Sequence, residues 1–241
     1  MTSPLHAVVL AGGKGTRLRP YTTSLPKPLM PVGGESAILE IVLRQLAYHG
    51  FQRATLTIGH LGALIRAYVG DGSQWGIEVD YAPEEIPLGT MGPVVAILDR
   101  VPDHFLVLNG DILTDLNYAD LLRGHETSGA PITVATYERD VDVDFGVLEV
   151  ESDRIVGFRE KPMLRYSVSM GCYALSRSTL ESYPRGVHLG FDELMLDLLA
   201  AQQSPRSHPF HGYWLDIGRP EDFDRANAEF EAMRSVLLPK T

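Results

Sequence analysis

Three groups of residues in this chain combine types suited to phosphate chemistry. The first is LAGGKGTRLRP, Leu10–Pro20, directly after a short apolar run. Its glycines, Gly12, Gly13 and Gly15, let backbone N–H groups approach a ligand, while Lys14, Arg17 and Arg19 crowd positive charge onto the same turn and Lys27 follows shortly after. Neither familiar glycine-loop pattern accounts for it. A dinucleotide fingerprint needs a third glycine where Leu18 stands, and a P-loop needs a hydroxyl residue where Gly15 follows Lys14. The chain has a formal charge of -10, yet its first 34 residues hold four Lys or Arg and no Asp or Glu. That segregation describes a cationic pocket in an acidic protein, suited to a small phosphorylated ligand. The competing reading is a solvated basic loop.

The second group is a pair of carboxylates. LVLNGDILTD ends an apolar run in Asn109, Gly110 and Asp111, and GYWLDIGRPEDF carries Asp216 between an aromatic, strand-like run and a helix. Both positions suit ligands of a Mg²⁺ ion, which takes one or two carboxylates and completes its shell with water and substrate phosphate. Taken singly, Asp111 would equally start a turn and Asp216 would equally help cap the helix after Gly218. The third group is GFREKPM, with Arg159, Glu160, Lys161 and Pro162. An adjacent carboxylate and ammonium suit the hydroxyls and phosphate of a sugar phosphate, although charges at a strand end are commonly just solvated.

The elements that must position these groups follow from apolar patterning. Strand-like runs cover 6 to 11, 54 to 59, 77 to 82 and 104 to 111. Between them, SAILEIVLRQLAYHG places Ile38, Ile41, Val42 and Leu46 on one helical face and stops at Gly50; GTMGPVVAILDRV reads as a helix with Pro93 in its first turn. Such alternation predicts a mostly parallel sheet covered on both faces, with ligands outside the carboxyl ends of the strands. From about 131 the pattern changes to shorter strands, ITVATYE, FGVLEV, RIVGFRE and VSMGCYAL, which predicts mixed or antiparallel pairing. Helices return at 191 to 203 and 219 to 234. No repeat or low-complexity linker is present, so any boundary between 130 and 165 is gradual.

Composition excludes several function classes. With 241 residues, 44% apolar and 22% charged, the chain is expected to fold around a full core. An acidic balance without basic runs argues against general nucleic-acid binding. No apolar stretch approaches the length of a membrane span and no signal-peptide pattern opens the chain, so no membrane association and a cytoplasmic location are expected. The one cysteine, Cys172, excludes an internal disulfide and reads as a buried strand residue; the eight His show no zinc-like spacing with it. A homo-oligomer is compatible with all of this.

Taken together and in order, LAGGKGTRLRPYTTSLPKPLMPV, PLGTMGPV, LVLNGDIL, FGVLEV, EKP and WLDIGRPEDF resemble the sugar-1-phosphate nucleotidylyltransferases over nearly the whole chain. The resemblance implies a Rossmann-like, three-layer α/β/α fold with a mixed, mostly parallel central sheet. It implies a single catalytic domain over 1–241, with a nucleotide-binding part to about 130 and a sugar-phosphate-binding part from about 131, and without the β-helix extension of some relatives. The implied reaction joins a nucleoside triphosphate to a sugar 1-phosphate, with Mg²⁺, releasing pyrophosphate. Leu10, Ala11, Gly12 and Gly13 would cradle the nucleotide with Gly15, Thr16, Gly89 and Thr90. Lys14 and Arg17 would contact the triphosphate and Lys27 would bridge the reacting phosphates, making Arg17, Lys27 and Asp111 the catalytic set. Lys161 would bind the sugar's phosphate and Glu160 its hydroxyls, with Asn109, Gly146 and Ser169 nearby. Asp111 and Asp216 would hold the metal. No general base is needed, because a phosphate monoester is already largely a dianion at neutral pH. Where many relatives read Asn-Ala-Gly this chain has Ser169, Met170 and Gly171, which puts the asparagine's sugar contact in question.

Glu84 stands five residues before Gly89, where thymidylyl-type relatives use glutamine to read the base. A carboxylate only accepts hydrogen bonds, and guanine offers two adjacent donors against one in uracil or thymine. GTP is therefore expected, with mannose or heptose 1-phosphate as partner; Glu85 is the alternative reader, and two solvated loop glutamates the bland reading. The runner-up is a uridylyl- or thymidylyltransferase acting on glucose 1-phosphate or a related sugar. A third reading, a catalytically silent regulatory protein, predicts loss of some of Arg17, Lys27, Asp111, Lys161 and Asp216, and all five are present.

Overall fold

The computed structural model describes residues 4–239. Its first strand, β1 (His6–Leu10), is the apolar run that precedes the glycine turn. A pair of two-residue strands, β2 (Pro31–Val32) and β3 (Ser36–Ala37), leads into helix α1 (Ile38–Tyr48), then β4 (Arg53–Ile58), α2 (Gly62–Val69) and β5 (Glu78–Pro83). Helix α3 (Gly92–Ala96), β6 (His104–Asn109), β7 (Ile112–Thr114) and α4 (Tyr118–Ser128) complete the first half. The second half holds β8 (Ile132–Asp142), β9 (Val147–Glu151), β10 (Arg154–Arg159), β11 (Met163–Ser176), α5 (Phe191–Ala200), β12 (Arg206–Phe210), β13 (Trp214–Asp216) and α6 (Pro220–Leu237).

Seven strands form one sheet in the order β12-β8-β11-β6-β1-β4-β5. Only β11 runs against its neighbours; the other four pairings are parallel. Side chains alternate across it as strand geometry dictates. Ala7 and Val9 face a core shared with Leu43 and Leu46 of α1, Ile65 of α2 and Leu121 of α4, whereas Val8 faces Val94 of α3 and Leu194 of α5. Helices thus cover both faces, giving the Rossmann-like α/β layering expected of continuous apolar strands. Cys172 is a fully buried residue of β11.

A third cluster lies outside the main sheet. Phe230 of α6 packs with Val32, Ile38, Leu113 and Leu215, fastening α6 and the small β7–β13 pair to the start of α1. Full burial of such a ring stabilises by about 2–3 kcal/mol, and here it also holds the turn that follows Asp216.

Several boundaries differ from the sequence expectation. The helix read over 89 to 101 is only five residues long, followed by a 3₁₀ turn at Leu98–Arg100. The N–H groups of Met91 and Gly92 donate to Leu189 O, so its first turn is spent on tertiary bonds. The strands after 131 are longer than read: β8 has 11 residues and β11 has 14. The outer half of β8 is charged and that of β11 mixes apolar with polar residues, both largely solvent-exposed, so no continuous apolar run marks them. The strand expected over 104 to 111 stops at Asn109, because Gly110 and Asp111 turn out of the sheet. Asp216 does not cap α6. The Asp222 carboxylate accepts from the N–H groups of Gly218 and Arg219 instead, at 3.1 and 2.8 Å. Helices α2 and α4 and strand β12 were not singled out in the sequence.

Candidate active site

The carboxyl ends of β1, β4 and β6 open onto a cleft of about 880 Å³. Leu10 is its centre, paired in register with Thr57 on one side and Asn109 on the other. Beyond it the Ala11 N–H donates to Thr57 O and the Gly110 N–H to Leu10 O, both at 2.9 Å, after which the three chains part. Parallel strands that diverge at this end leave an opening with backbone groups free for a ligand.

Leu10, Ala11, Gly12, Gly13, Lys14, Gly15, Thr16 and Arg17 all line this cleft; Glu84, Glu85, Gly89 and Thr90 line it as well, and Lys27, Asn109 and Asp111 are also among its residues. Glu84 reaches across to the glycine turn. Its Oε1 accepts from the Leu88 N–H at 2.6 Å, and a methyl group on Gly12 would lie 2.7 Å from its Oε2. Glycine at 12 is therefore what lets the carboxylate sit against the turn.

Lys27 is buried in a 3₁₀ turn between Pro26 and Leu29, and its Nζ donates directly to Asp111 Oδ2. The ammonium is almost wholly enclosed, whereas the carboxylate retains 28% exposure toward the cleft. One face of Asp111 thus neutralises the lysine and the other is open. Asp216 ends β13, paired with Ile112 just beyond Asp111, and the Ile217 N–H donates to Asp111 O at 3.2 Å. Burial, and next the Asp111 charge, raise the pKa of Asp216, while Lys27 and Arg17 oppose the shift. The Arg17 guanidinium lies against Gly218, two residues past Asp216; a methyl there would be 3.3 Å from Nη1. Tertiary structure therefore brings together two cations and two carboxylates from positions up to 199 residues apart. Among the described residues no group of three or more His, Cys, Asp or Glu forms a metal cage. Two carboxylates without a cage fit Mg²⁺ bound jointly with a phosphorylated substrate.

Of the expected sugar-side residues Asn109 lines the cleft, whereas Gly146, Glu160, Lys161 and Ser169 lie outside its lining. Ser169 precedes an irregularity in the β8–β11 pairing between Ser169 and Tyr173; its Oγ donates to Tyr173 Oη and accepts from the Gly171 N–H, both at 3.3 Å. Gly171 has φ +74 and sits against Asn109, where a methyl would lie 2.5 Å from Nδ2. Only glycine meets both demands. Trp214 Nε1 donates to Met170 O at 3.1 Å and pins the same segment. Gly146 and Glu160 meet on the β9–β10 hairpin, a methyl on Gly146 falling 3.2 Å from Glu160 Oε2. Lys161 follows with a left-handed backbone, φ +42, a conformation costly for a side-chain-bearing residue and concentrated at ligand sites.

Residues 6–233 match the pattern that defines a family described as nucleotidyl transferase. The chain belongs to the nucleotidyl transferase family. It is 34% identical over 234 residues to the mannose-1-phosphate guanylyltransferase of Mycobacterium tuberculosis, covering 95% of this chain and 65% of that one. It is 29% identical to the UTP--glucose-1-phosphate uridylyltransferase of Synechocystis sp., covering 97% and 63%. The chain thus spans slightly less than two thirds of the length of these curated relatives. Among solved structures it is similar to HddC from Yersinia pseudotuberculosis complexed with GMP-PN, with TM-score 0.73, 27% identity, and coverage of 94% of this chain and 99% of that one.

Within this nucleotidyl transferase, Thr57, Gly59, His60, Pro87 and Gly218 also line the cleft and were not predicted. Gly59 was findable as a glycine ending a strand-like run. His60 and Pro87 carried no pattern, since their place depends on how β4 and β5 end beside β1.

Proposed function

We propose that this protein is a sugar-1-phosphate guanylyltransferase, joining GTP to mannose 1-phosphate or heptose 1-phosphate. A phosphate oxygen of the sugar phosphate attacks the α-phosphorus of GTP in line, the bond to the bridging oxygen breaks, and pyrophosphate leaves with that electron pair. The observation that carries this reading is the convergence of Lys27, Arg17, Asp111 and Asp216 at the end of β1 and β6, beside a glycine turn.

The work of these side chains is alignment and charge stabilisation. Backbone N–H groups of the Leu10–Gly15 turn hold the triphosphate with Lys14. Arg17, packed along Gly218, is directed at the β- and γ-phosphates, and Lys27, fixed by two flanking prolines, is held at the reacting centre. Asp111 and Asp216 would hold Mg²⁺, which when bound offsets the negative charge of the two phosphates. Asn109 and Gly171 shape the sugar's side, and Glu160 and Lys161 bring hydroxyl and phosphate contacts from the hairpin. The displacement calls for no protein base, in keeping with a cleft in which, among the described residues, His60 is the one histidine of the lining.

Guanine follows from the carboxylates on the cleft wall. Glu84 has one oxygen engaged by Leu88 N–H, but a carboxylate accepts about four hydrogen bonds, and Glu85 stands beside it. The guanylyltransferase name of the mycobacterial relative and the GMP-PN complex of HddC support the same base. The reading puts the enzyme in the cytoplasm, where nucleoside triphosphates are available. Pyrophosphate release with Mg²⁺, measured for GTP, UTP, dTTP, CTP and ATP against mannose, glucose and heptose 1-phosphates, tests it. Turnover with GTP is expected to exceed the other columns; preference for UTP with glucose 1-phosphate would replace guanylyl by uridylyl transfer, and no turnover anywhere would overturn the reaction.

A further inference from the structure

The turn that follows β4 is tightly built, and the phosphate chemistry of the cleft makes no use of it. Gly59, His60, Leu61 and Gly62 form a four-residue turn, closed by a hydrogen bond from the Gly62 N–H to Gly59 O at 3.0 Å. Both ends are fixed by close packing: a methyl on Gly59 would lie 2.9 Å from Gly12 O, and one on Gly62 would lie 3.1 Å from Ile58 Cβ. Between them Leu61 holds a left-handed backbone, φ 57 and ψ 23. That conformation is costly for a residue with a side chain and collects at ligand sites. The turn seats His60, exposed, on the wall of the cleft.

The seat lies beside the two carboxylates proposed to read the base. Ile58 and Pro83 are the last paired residues of β4 and β5, and the Glu84 N–H donates to Ile58 O at 2.8 Å. His60 therefore leaves one strand end two residues after that pair, and Glu84 leaves the neighbouring end one residue after it. Adjacent strands are about 4.8 Å apart, on the scale of a purine's edge. Gly12 joins the two, because a methyl there would meet Glu84 Oε2 at 2.7 Å and the Gly59 nitrogen at 3.4 Å. The first turn after β1 and the ends of β4 and β5 thus meet at one point of the cleft.

Carboxylates at that point satisfy only half of guanine. Glu84 and Glu85 accept hydrogen bonds and cannot donate, so they suit N1–H and N2–H₂ and leave the acceptors O6 and N7 unmatched. An imidazole carries at least one ring N–H whether neutral or protonated. We infer that His60 reads the O6 and N7 edge of guanine, donating a ring N–H to it while Glu84 accepts from the donors beside it. Adenine carries an amine at position 6 and an acceptor at N1, so it meets neither residue there with the right group. The inference rests on the guanylyl reading and adds the residue that completes the choice of base.

Steady-state kinetics of the full chain with GTP, 6-thio-GTP, 7-deaza-GTP and UTP test it, using Mg²⁺ and the sugar 1-phosphate that the native protein turns over best. The native protein is compared with His60→Phe, which keeps a ring without a donor, and His60→Gln, which keeps a donor without the ring. His60→Phe is expected to raise the KM for GTP roughly tenfold, with kcat and the KM for sugar phosphate near native; His60→Gln should recover much of that loss. The loss should shrink to within about threefold on whichever analogue lacks the bonded acceptor, O6 or N7. A His60→Phe variant with the native KM for GTP overturns the assignment, and so does an equal loss on GTP and both analogues, which would mark the ring as packing only. Failure of the guanylyl reading has a different signature: the native protein itself would prefer UTP, before any variant is compared, and the role of His60 would fall with it.

Discussion

Two ion pairs in this molecule have the same formal chemistry and opposite settings. Lys27–Asp111 sits where β1 and β6 end, its lysine almost wholly enclosed, in contact with the cleft. Arg159–Glu149 lies on the β9–β10 hairpin, at the end of an arm formed by the outer halves of β8 and β11, each side chain more than half exposed. The enclosed lysine cannot relax toward water, so removing its carboxylate partner strands a charge. The second pair exchanges with solvent and is worth little. The same contrast runs through the regions that hold them: the strand ends around the cleft are locked by parallel register and close glycine contacts, whereas the arm is held by backbone pairing and exposed ion pairs such as Arg165–Asp140, with Leu148, Val150 and Ile155 exposed.

The largest effect that would break this contrast concerns the enclosed pair. Asp111→Asn is expected to lower pyrophosphate release on the order of a thousandfold while the chain still folds; activity within tenfold of native would remove Asp111 from the reacting centre. Next in size is a pH effect in the rigid region. His125 is buried, bonded to Thr133 and Ser176, and its pKa is pushed down to about 4, first by burial and then by His104 and Arg206. Unfolded, it takes up its proton near 6.5. Between those values the unfolded state binds more protons, so stability falls as pH drops from about 6.5 to about 4, by up to about 3 kcal/mol from this group. Urea unfolding at pH 7 and pH 4.5 measures the slope, which His125→Gln should flatten; an equal slope in that variant would assign the loss to other groups.

A smaller effect tests the arm's share in chemistry. Lys161→Ala should raise the KM for sugar phosphate roughly tenfold and leave the KM for nucleotide near native; a change confined to the nucleotide would sink the assignment. Smallest is Glu149→Ala, expected to change the unfolding free energy by less than about 0.5 kcal/mol. A loss of several kcal/mol there would erase the distinction between the two regions.

The glycine turn and its cations were legible in the sequence because they are contiguous: Leu10 to Arg17 line the cleft as one segment. The alternation of Val8 with Ala7 and Val9 was legible for the same reason, since strand period is a local property. The outer halves of β8 and β11 were not, because the first is charged and the second mixes apolar with polar residues along a largely exposed ribbon, which leaves no continuous apolar run to find. The cap of α6 could not be told from the sequence because Asp216 and Asp222 offer the same carboxylate, and only the fold turns Asp222 to the Gly218 and Arg219 N–H groups and leaves Asp216 beside Asp111.

By itself the sequence determined the strand order in time, the basic turn and the residue types able to hold phosphate and metal, all consequences of local patterning and charge. Tertiary structure alone decided that Lys27 closes on Asp111, that Arg17 lies beside Gly218, and that Gly171 must accept Asn109. Each of these joins segments tens to hundreds of residues apart, and such contacts are set by the register and packing of the sheet, which no local pattern encodes.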